Sequence, residues 1–324
     1  MRIPLLLLAC APLLPAQQVQ VQMIMPGGVP PLPDGVKFEI LRVRPNVYMF
    51  ASTLGNVTVQ VGNQPGNDGV LLVDTGNGQL TERIQAEIKK LSDKPVRYIL
   101  NTNADADHTG GNAVIAKTGK PLASFASGSL GTDTAVITAQ DNVLLRMSAK
   151  KNGETAMPFA AWPGLTFTEG RDFYFNGEPI QIMHAPGHTD GDIIVFFRNS
   201  NVISSGDNFI TTGFPVIDLE RGGNIQGVVA ALNKLLALAI PANNEEGGTM
   251  VIPGHGRLCD AADVSDYRDM ITIIRDRVAD GIKKGKTLAQ IKDGKPTLDY
   301  EYRYGRPQWT GDMFVEAIYR SLTK

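Results

Sequence analysis

Short apolar runs closed by Gly, Pro, Asn or Asp recur along most of this chain. They predict strands over Lys37–Val43, Val47–Phe50, Asn56–Val61 and Val70–Val73. Leu80, Ile84, Ile88 and Leu91 return at helical spacing, so Gly78–Leu91 reads as an amphipathic helix that ends near Pro95. The run Val96–Leu100 follows as another strand. A strand–helix–strand unit pairs its strands in parallel, and a parallel sheet needs helices on its faces. Beyond it, Thr138–Lys150 reads as helix. Asn152–Gly164 reads as an insert carrying Phe159 and Trp162 that either roofs a site or is a plain surface excursion. Phe173–Phe175 and Pro179–Met183 flank Asn176-Gly177, the signal of a type I′ hairpin. Asp192–Phe197 and Asn201–Ser205 make a further strand pair around Arg198-Asn-Ser200. Ile225, Val228, Val229, Leu232, Leu235 and Leu236 form one helix face, stopping at Pro241. Val264, Tyr267, Met270, Ile271, Ile274, Val278 and Ile282 form a second, and Phe314, Val315, Ile318, Tyr319 and Leu322 a third. The aromatic stretch Tyr300, Tyr302, Tyr304 and Trp309 is expected to pack against the body. Alternating strands and helices make this an α/β chain.

Composition narrows the class. At 324 residues there is room for one large domain or two small ones, and a net charge of −2 with no Lys/Arg-rich run gives no nucleic acid a surface to bind. Residues 1–16 have a basic start, a short apolar core and a small residue at the end. They read as a secretory signal peptide, too short to span a bilayer, so the mature chain is expected to carry no integral membrane segment. The chain is therefore expected to be exported, periplasmic or secreted, with a lipid anchor at Cys10 as the alternative. Residues 17–36 read as a Pro- and Gly-rich lead-in, and 37–324 as a single domain with a C-terminal helical extension. After cleavage only Cys259 remains, which excludes an internal disulfide and leaves that residue to pack as a small apolar group.

The chemistry gathers at strand ends. The loop Asn101–Asn112 follows strand Val96–Leu100 and holds Asn103, Asp105, Asp107 and His108 within a few residues. Crowded carboxylates repel and call for a neutralising cation. The chain has 4 histidines, His108, His184, His188 and His255, and each lies at or just after an apolar run. Val202–Ser205 ends in Gly206-Asp207 and Val70–Val73 in Asp74-Thr-Gly76. Strands lying side by side would bring these ends to one sheet edge, where α/β proteins place ligands, and imidazole is the commonest metal ligand.

The loop, Pro-Gly-His188-Thr, Gly206-Asp207 and Pro-Gly-His255-Gly together resemble the metallo-β-lactamase superfamily, from about Phe38 to Gly256. The family loop is usually His-x-His-x-Asp-His. Here Asn103 and Asp105 stand where the first two histidines would be, while Asp107 and His108 match the last two positions. The resemblance further implies His188 as a ligand, Asp207 as the aspartate that bridges two metals, and His255 as the final histidine. It implies a four-layer αβ/βα sandwich, and it makes Asp74 a residue that supports the metal loop. His184 reads as a supporting histidine rather than a ligand.

Two metal sets follow from that resemblance. Asp107, His108 and His255 are rich in nitrogen and suit Zn²⁺ or Fe²⁺. Asn103, Asp105 and His188 offer mostly oxygen and suit Mn²⁺ or Mg²⁺. A mixed dinuclear site and a single tightly held metal both remain open. Metal-held water of lowered pKa would act as a hydroxide nucleophile, with Asp107 holding the metal, orienting the hydroxide and passing on its proton. The function implied is a metal-dependent hydrolase acting on a small-molecule ester, thioester, lactone or amide. β-Lactam hydrolysis is an alternative, and so is a non-catalytic metal-binding or scaffold protein with an eroded first site. There is no Gly-x-Ser-x-Gly elbow, Walker loop or dinucleotide-binding turn.

Overall fold

The computed structural model describes residues 30–62, 68–122, 133–149, 156–242 and 247–324. The expected signal peptide and all but the end of the lead-in therefore lie outside the described residues, as does the first part of the 152–164 insert. Seven strands form one sheet in sequence order: β1 (Phe38–Arg44), β2 (Val47–Ser52), β3 (Val57–Val61), β4 (Val70–Val73), β5 (Val96–Leu100), β6 (Val136–Gln140) and β7 (Leu165–Phe167). Five more, β8 (Gly170–Phe175), β9 (Glu178–His184), β10 (Ile193–Phe197), β11 (Val202–Ser204) and β12 (Met250–Ile252), form the second sheet in the order β12-β11-β10-β9-β8.

Side-chain alternation explains the layering. In β4, Leu71 and Val73 face a core shared with Ile180, Ile182, Val195 and Phe197 of the second sheet. Val70 and Leu72 face the opposite way, onto Leu80, Ile84 and Ile88 of helix α1 (Thr81–Leu91). On the far side of the second sheet, Ile194, Ile203 and Val251 pack under Val228, Leu232, Ile271, Ile274 and Phe314. Those five come from the long helices Ile225–Leu238, Ala261–Lys283 and Gly311–Leu322. The central strands of each sheet are thus buried on both faces, and the outcome is a helix–sheet–sheet–helix sandwich with two flanking cores and one central core. The aromatic stretch divides: Tyr304 is buried against Phe214 and Tyr267, while Tyr302 points outward at 87 % exposure.

The expected α1 crossover places β4 parallel to β5, with Leu72 opposite Ile99. Asn176 and Gly177 both have positive φ (54° and 72°), as a type I′ hairpin requires. The stretch Thr138–Lys150 needs correction. Thr138–Gln140 belongs to β6, which lies parallel to β5 with Ile137 opposite Ile99, and the helix runs only over Asp141–Ser148. Gln140 makes the switch, since its side chain accepts the Asn142 N–H at 2.5 Å and caps the helix. β7, too short to show a period, pairs beside β6 and extends the sheet. No helix among the described residues is long and apolar enough to cross a membrane.

Candidate metal centre

Five strand ends deliver the site. Asp74 follows β4, the loop Asn101–Gly111 follows β5, His188 lies in the turn after β9, Asp207 follows β11 and His255 follows β12. Each loop is clamped to a neighbour. Asp74, at φ 64°, accepts the Thr102 N–H and O–H, both at 2.7 Å, which fixes the base of the β5 loop. Asp192 accepts the Gly187 N–H (3.2 Å) and the Thr189 N–H (2.8 Å) and O–H (2.6 Å), and so shapes the turn that carries His188. Burial pushes the Asp192 carboxyl up to about 6 against these bonds. Asn56, in the β2–β3 turn, donates through its amide to Pro253 O (2.9 Å) and Gly256 O (3.1 Å), holding the His255 loop from above. A Cβ at Gly254 would collide with the Asp207 Oδ1 oxygen, so glycine is needed for that approach.

The side chains form two adjoining groups. Asp107, His108 and His255 offer ligand atoms within 4.8 Å of one another, and so do Asp105, His188 and Asp207. Asp207 joins them, with Oδ2 at 3.1 Å from His108 Nε2 and 3.8 Å from His188 Nε2, and Oδ1 at 3.5 Å from His255 Nε2. Asp107 Oδ2 lies 3.2 Å from His255 Nε2, and Asp105 Oδ2 lies 3.0 Å from His188 Nε2. Behind the site, His108 Nδ1 sits 2.7 Å from Asp74 Oδ2, and His188 Nδ1 donates to Val216 O at 2.9 Å. Those rear bonds fix each ring so that Nε2 faces forward, the arrangement that orients metal-ligating imidazoles.

Carboxylates and imidazoles act strongly on one another across the site. Burial alone would lower His108, yet Asp207 and Asp74 raise its imidazole well above the ordinary value. Burial also opposes His188, which Asp105, Asp192 and Asp207 push up to about 10. His255 is raised in the same way by Asp107 and Asp207. Burial would raise Asp207, but His108, His255 and His188 hold it far below the usual carboxylate range. Forward-facing imidazole nitrogens on carboxylate oxygens are compatible with added protons or with a shared metal. Two ligands of one ion at about 2.0–2.2 Å stand roughly 3–3.5 Å apart, the spacing seen across Asp107, His108, Asp207 and His255. Asp207 Oδ1 is buried with no hydrogen-bond partner, an acceptor left over for such an ion. The donor set fits a divalent metal there.

The structure brings Asp105, Asp107, His108, His188, Asp207 and His255 together. Asn103 is placed differently from its expected role as an oxygen donor. Its Oδ1 accepts the Asp105 N–H at 2.8 Å, and its NH₂ group faces Asp207 Oδ2 at 3.4 Å. His184 turns to its own loop, with Nε2 at 2.8 Å from Asp190 O. The described part of the insert buttresses the loop: Ala161 O accepts the Asn112 amide at 2.9 Å, and Met157 and Trp162 share an apolar cluster with Ala104 and Ala113. Sequence reasoning missed Asn56 and Arg221. Arg221 pairs with Asp105, and it also donates through Nε to Asp218 Oδ2 at 2.5 Å. Its only sequence signal is a lone cation in Asp218-Leu-Glu-Arg221-Gly-Gly, just after the Asp207 stretch.

The sequence model of the metallo-beta-lactamase superfamily matches residues 53–255, which hold every residue of both groups. The chain belongs to the metallo-beta-lactamase superfamily. Among its superfamily relatives, a linear primary-alkylsulfatase of Pseudomonas sp. (strain ATCC 19151) is 25 % identical over 263 residues, covering 69 % of this chain and 47 % of that protein. A probable metallo-hydrolase of Methanocaldococcus jannaschii is 25 % identical over 190 residues, covering 59 % of this chain and 84 % of the relative. In solved structures the fold recurs in the stereoselective inverting sec-alkylsulfatase Pisa1 from Pseudomonas sp., with a TM-score of 0.63, 14 % identity, and coverage of 87 % of this chain and 50 % of that one. It recurs also in a metallo-beta-lactamase from Pontibacter korlensis, with a TM-score of 0.55, 16 % identity, and coverage of 73 % and 99 %. The chain spans about half the length of the alkylsulfatases it matches.

Proposed function

We propose that this superfamily member is an exported metal-dependent hydrolase that cleaves an ester-type bond in a small molecule. The observation that carries the reading is the buried Asp207 Oδ1, which lacks a hydrogen-bond partner and lies 3.5 Å from His255 Nε2, beside the Asp107, His108 and His255 group. A divalent ion, Zn²⁺ by the nitrogen-rich donor set, supplies Lewis acidity there and lowers the pKa of any water it holds. His108 and His255 would hold it by Nε2, with Asp107 and Asp207 as carboxylate partners. Asp107 is the most open of these acids, its side chain 32 % exposed against 12 % for Asp207 and 4 % for Asp74. It is therefore the group placed to take a proton from attacking water and return it to the leaving group. Its Oδ2 lies 3.2 Å from His255 Nε2, at the point where the imidazoles that would hold the ion converge. Asp74 and Val216 do no chemistry; they fix the rings of His108 and His188.

Carboxylic esters, thioesters, lactones and amides are the substrate classes proposed from the site. The alkylsulfatase relatives add sulfate esters. A non-catalytic metal-binding role is the second reading, favoured by the Arg221 pair on Asp105, which occupies part of the site. A hydrolysis screen across these esters and a β-lactam, with zinc or manganese supplied, separates the two. Turnover that falls by orders of magnitude in Asp107→Asn and His255→Ala supports the hydrolase. Turnover indifferent to both substitutions removes it, and no turnover on any class in a chain that retains metal favours the binding role.

A further inference from the structure

The two halves of the site differ in what already fills them. On the Asp107–His108–His255 side no guanidinium or ammonium among the described residues reaches the carboxylates: Asp107 Oδ2 lies on His255 Nε2, and Asp207 Oδ1 has no hydrogen-bond partner. On the Asp105–His188 side, hydrogen-bond donors already sit on oxygens of the candidate ligands. Arg221 Nη1 lies on Asp105 Oδ1, and the Asn103 NH₂ faces Asp207 Oδ2 at 3.4 Å. Asn103 has no spare orientation, since turning its amide would aim NH₂ at the Asp105 N–H that its oxygen now accepts.

Arg221 is also built in rather than swung in. It ends a 3₁₀ turn (Leu219–Arg221) that Asp218 caps, accepting the Glu220 and Arg221 N–H groups at 3.0 and 2.9 Å. The turn is laced to the His188 loop by Asp218 N–H to His188 O (3.0 Å) and Asp190 N–H to Arg221 O (2.9 Å). Arg146 adds a bond to Arg221 O at 2.9 Å while pairing with Asp190. A Cβ at Gly223 would collide with His188 O, so this lacing depends on glycine at that position. The loop that presents His188 therefore comes with the guanidinium already docked on Asp105.

We propose that Arg221 is the resident cation of the Asp105–His188 half, so that this chain holds a single divalent ion, in the Asp107–His108–His255 half. The inference rests on the metal-dependent reading above. A guanidinium supplies one fixed positive charge and repels a second ion placed beside it, while Asp105 neutralises the guanidinium instead of ligating. His188 then serves as a hydrogen-bonding partner of Asp105, with Asp207 Oδ2 3.8 Å away, rather than as an obligatory ligand. The His188 side of the site keeps a positive charge without a second metal.

Metal stoichiometry tests this without relying on activity. The full chain is stripped with chelator, reloaded with excess Zn²⁺ or, separately, Mn²⁺, desalted and assayed by elemental analysis and native mass spectrometry. Wild type is expected to retain one equivalent, His188→Ala to retain one, and His255→Ala to lose it. Arg221→Met is expected to gain a second equivalent, which Asp105→Asn in that background removes. Two equivalents in wild type overturn the inference and leave the hydrolase reading standing; none in wild type overturns both. One equivalent in folded Arg221→Met, checked by circular dichroism, also overturns it. If that variant does not fold, His188→Ala decides, because loss of the wild-type ion there would place the metal in the wrong half.

Discussion

At the residue scale, Asp74 is the clearest case of a side chain acting through another. It holds His108 Nδ1 at 2.7 Å and pins Thr102 at two points, and it touches neither group of candidate ligands except through that ring. Asp74→Asn keeps the shape but places an NH₂ against donors, so metal affinity should fall about 10–100-fold with secondary structure unchanged. Competition against a chromogenic chelator measures it. Cys259 makes a different prediction. Burial, with Asp263 nearby, pushes its thiol up to about 12, so the reactive thiolate is scarce throughout the neutral range. In a Cys10→Ser variant, labelling of the native chain by iodoacetamide should be slow at neutral to mildly alkaline pH and rise only as pH approaches 12 or on unfolding. Prompt labelling at neutral pH would contradict the burial. Residue identities such as Asp107, His108 and His255 were legible because few side chains suit metal, and every histidine followed an apolar run. Arg221 was not, because an arginine's role depends on which carboxylate it reaches, and Asp105 is far away in sequence.

Elements owe their boundaries to local chemistry that is partly visible in the chain. The helix Ala261–Lys283 begins at a capping box in which Asp260 accepts the Ala262 and Asp263 N–H groups at 2.9 and 3.1 Å. Asp263 answers on the Asp260 N–H. Asp260→Ala should cost about 1 kcal/mol, read as a lowered urea midpoint with unchanged slope. Strand ends could be placed from apolar runs and turn residues, and the Asn176-Gly177 hairpin from its dipeptide. The helix assigned from Thr138 failed for the opposite reason. Val136–Gln140 carries no alternation because both its faces are covered, and pairing with β5 decides its state. A window on the sequence sees the apolar residues but not the neighbouring strand.

Across the whole molecule, stability and site are coupled through the second sheet. Phe314 is fully buried, stacked on Phe214 with ring centroids 5.2 Å apart, and packs in the same core as Ile203 and Val251. Those two residues lie on β11 and β12, the strands that present Asp207 and His255. Phe314→Ala should cost about 3–5 kcal/mol by denaturant unfolding. Because the core it weakens lies under those strands, loosened metal binding should accompany the loss. Retained stability in that variant would mean the C-terminal helix is an appendage. The sandwich itself was legible only through family resemblance, since periodicity shows that a strand is buried on both faces but not what covers each.

The sequence alone determined which atoms are available for chemistry and that they sit where strands stop, because backbone period and turn residues are local properties. Tertiary structure decided how those atoms are shared. It turned the Asn103 amide away from the role of oxygen donor, set a guanidinium on Asp105, and left one buried oxygen of Asp207 without a hydrogen-bond partner. Such pairings form between loops far apart along the chain, and only the packing of two sheets fixes the distances that choose among them.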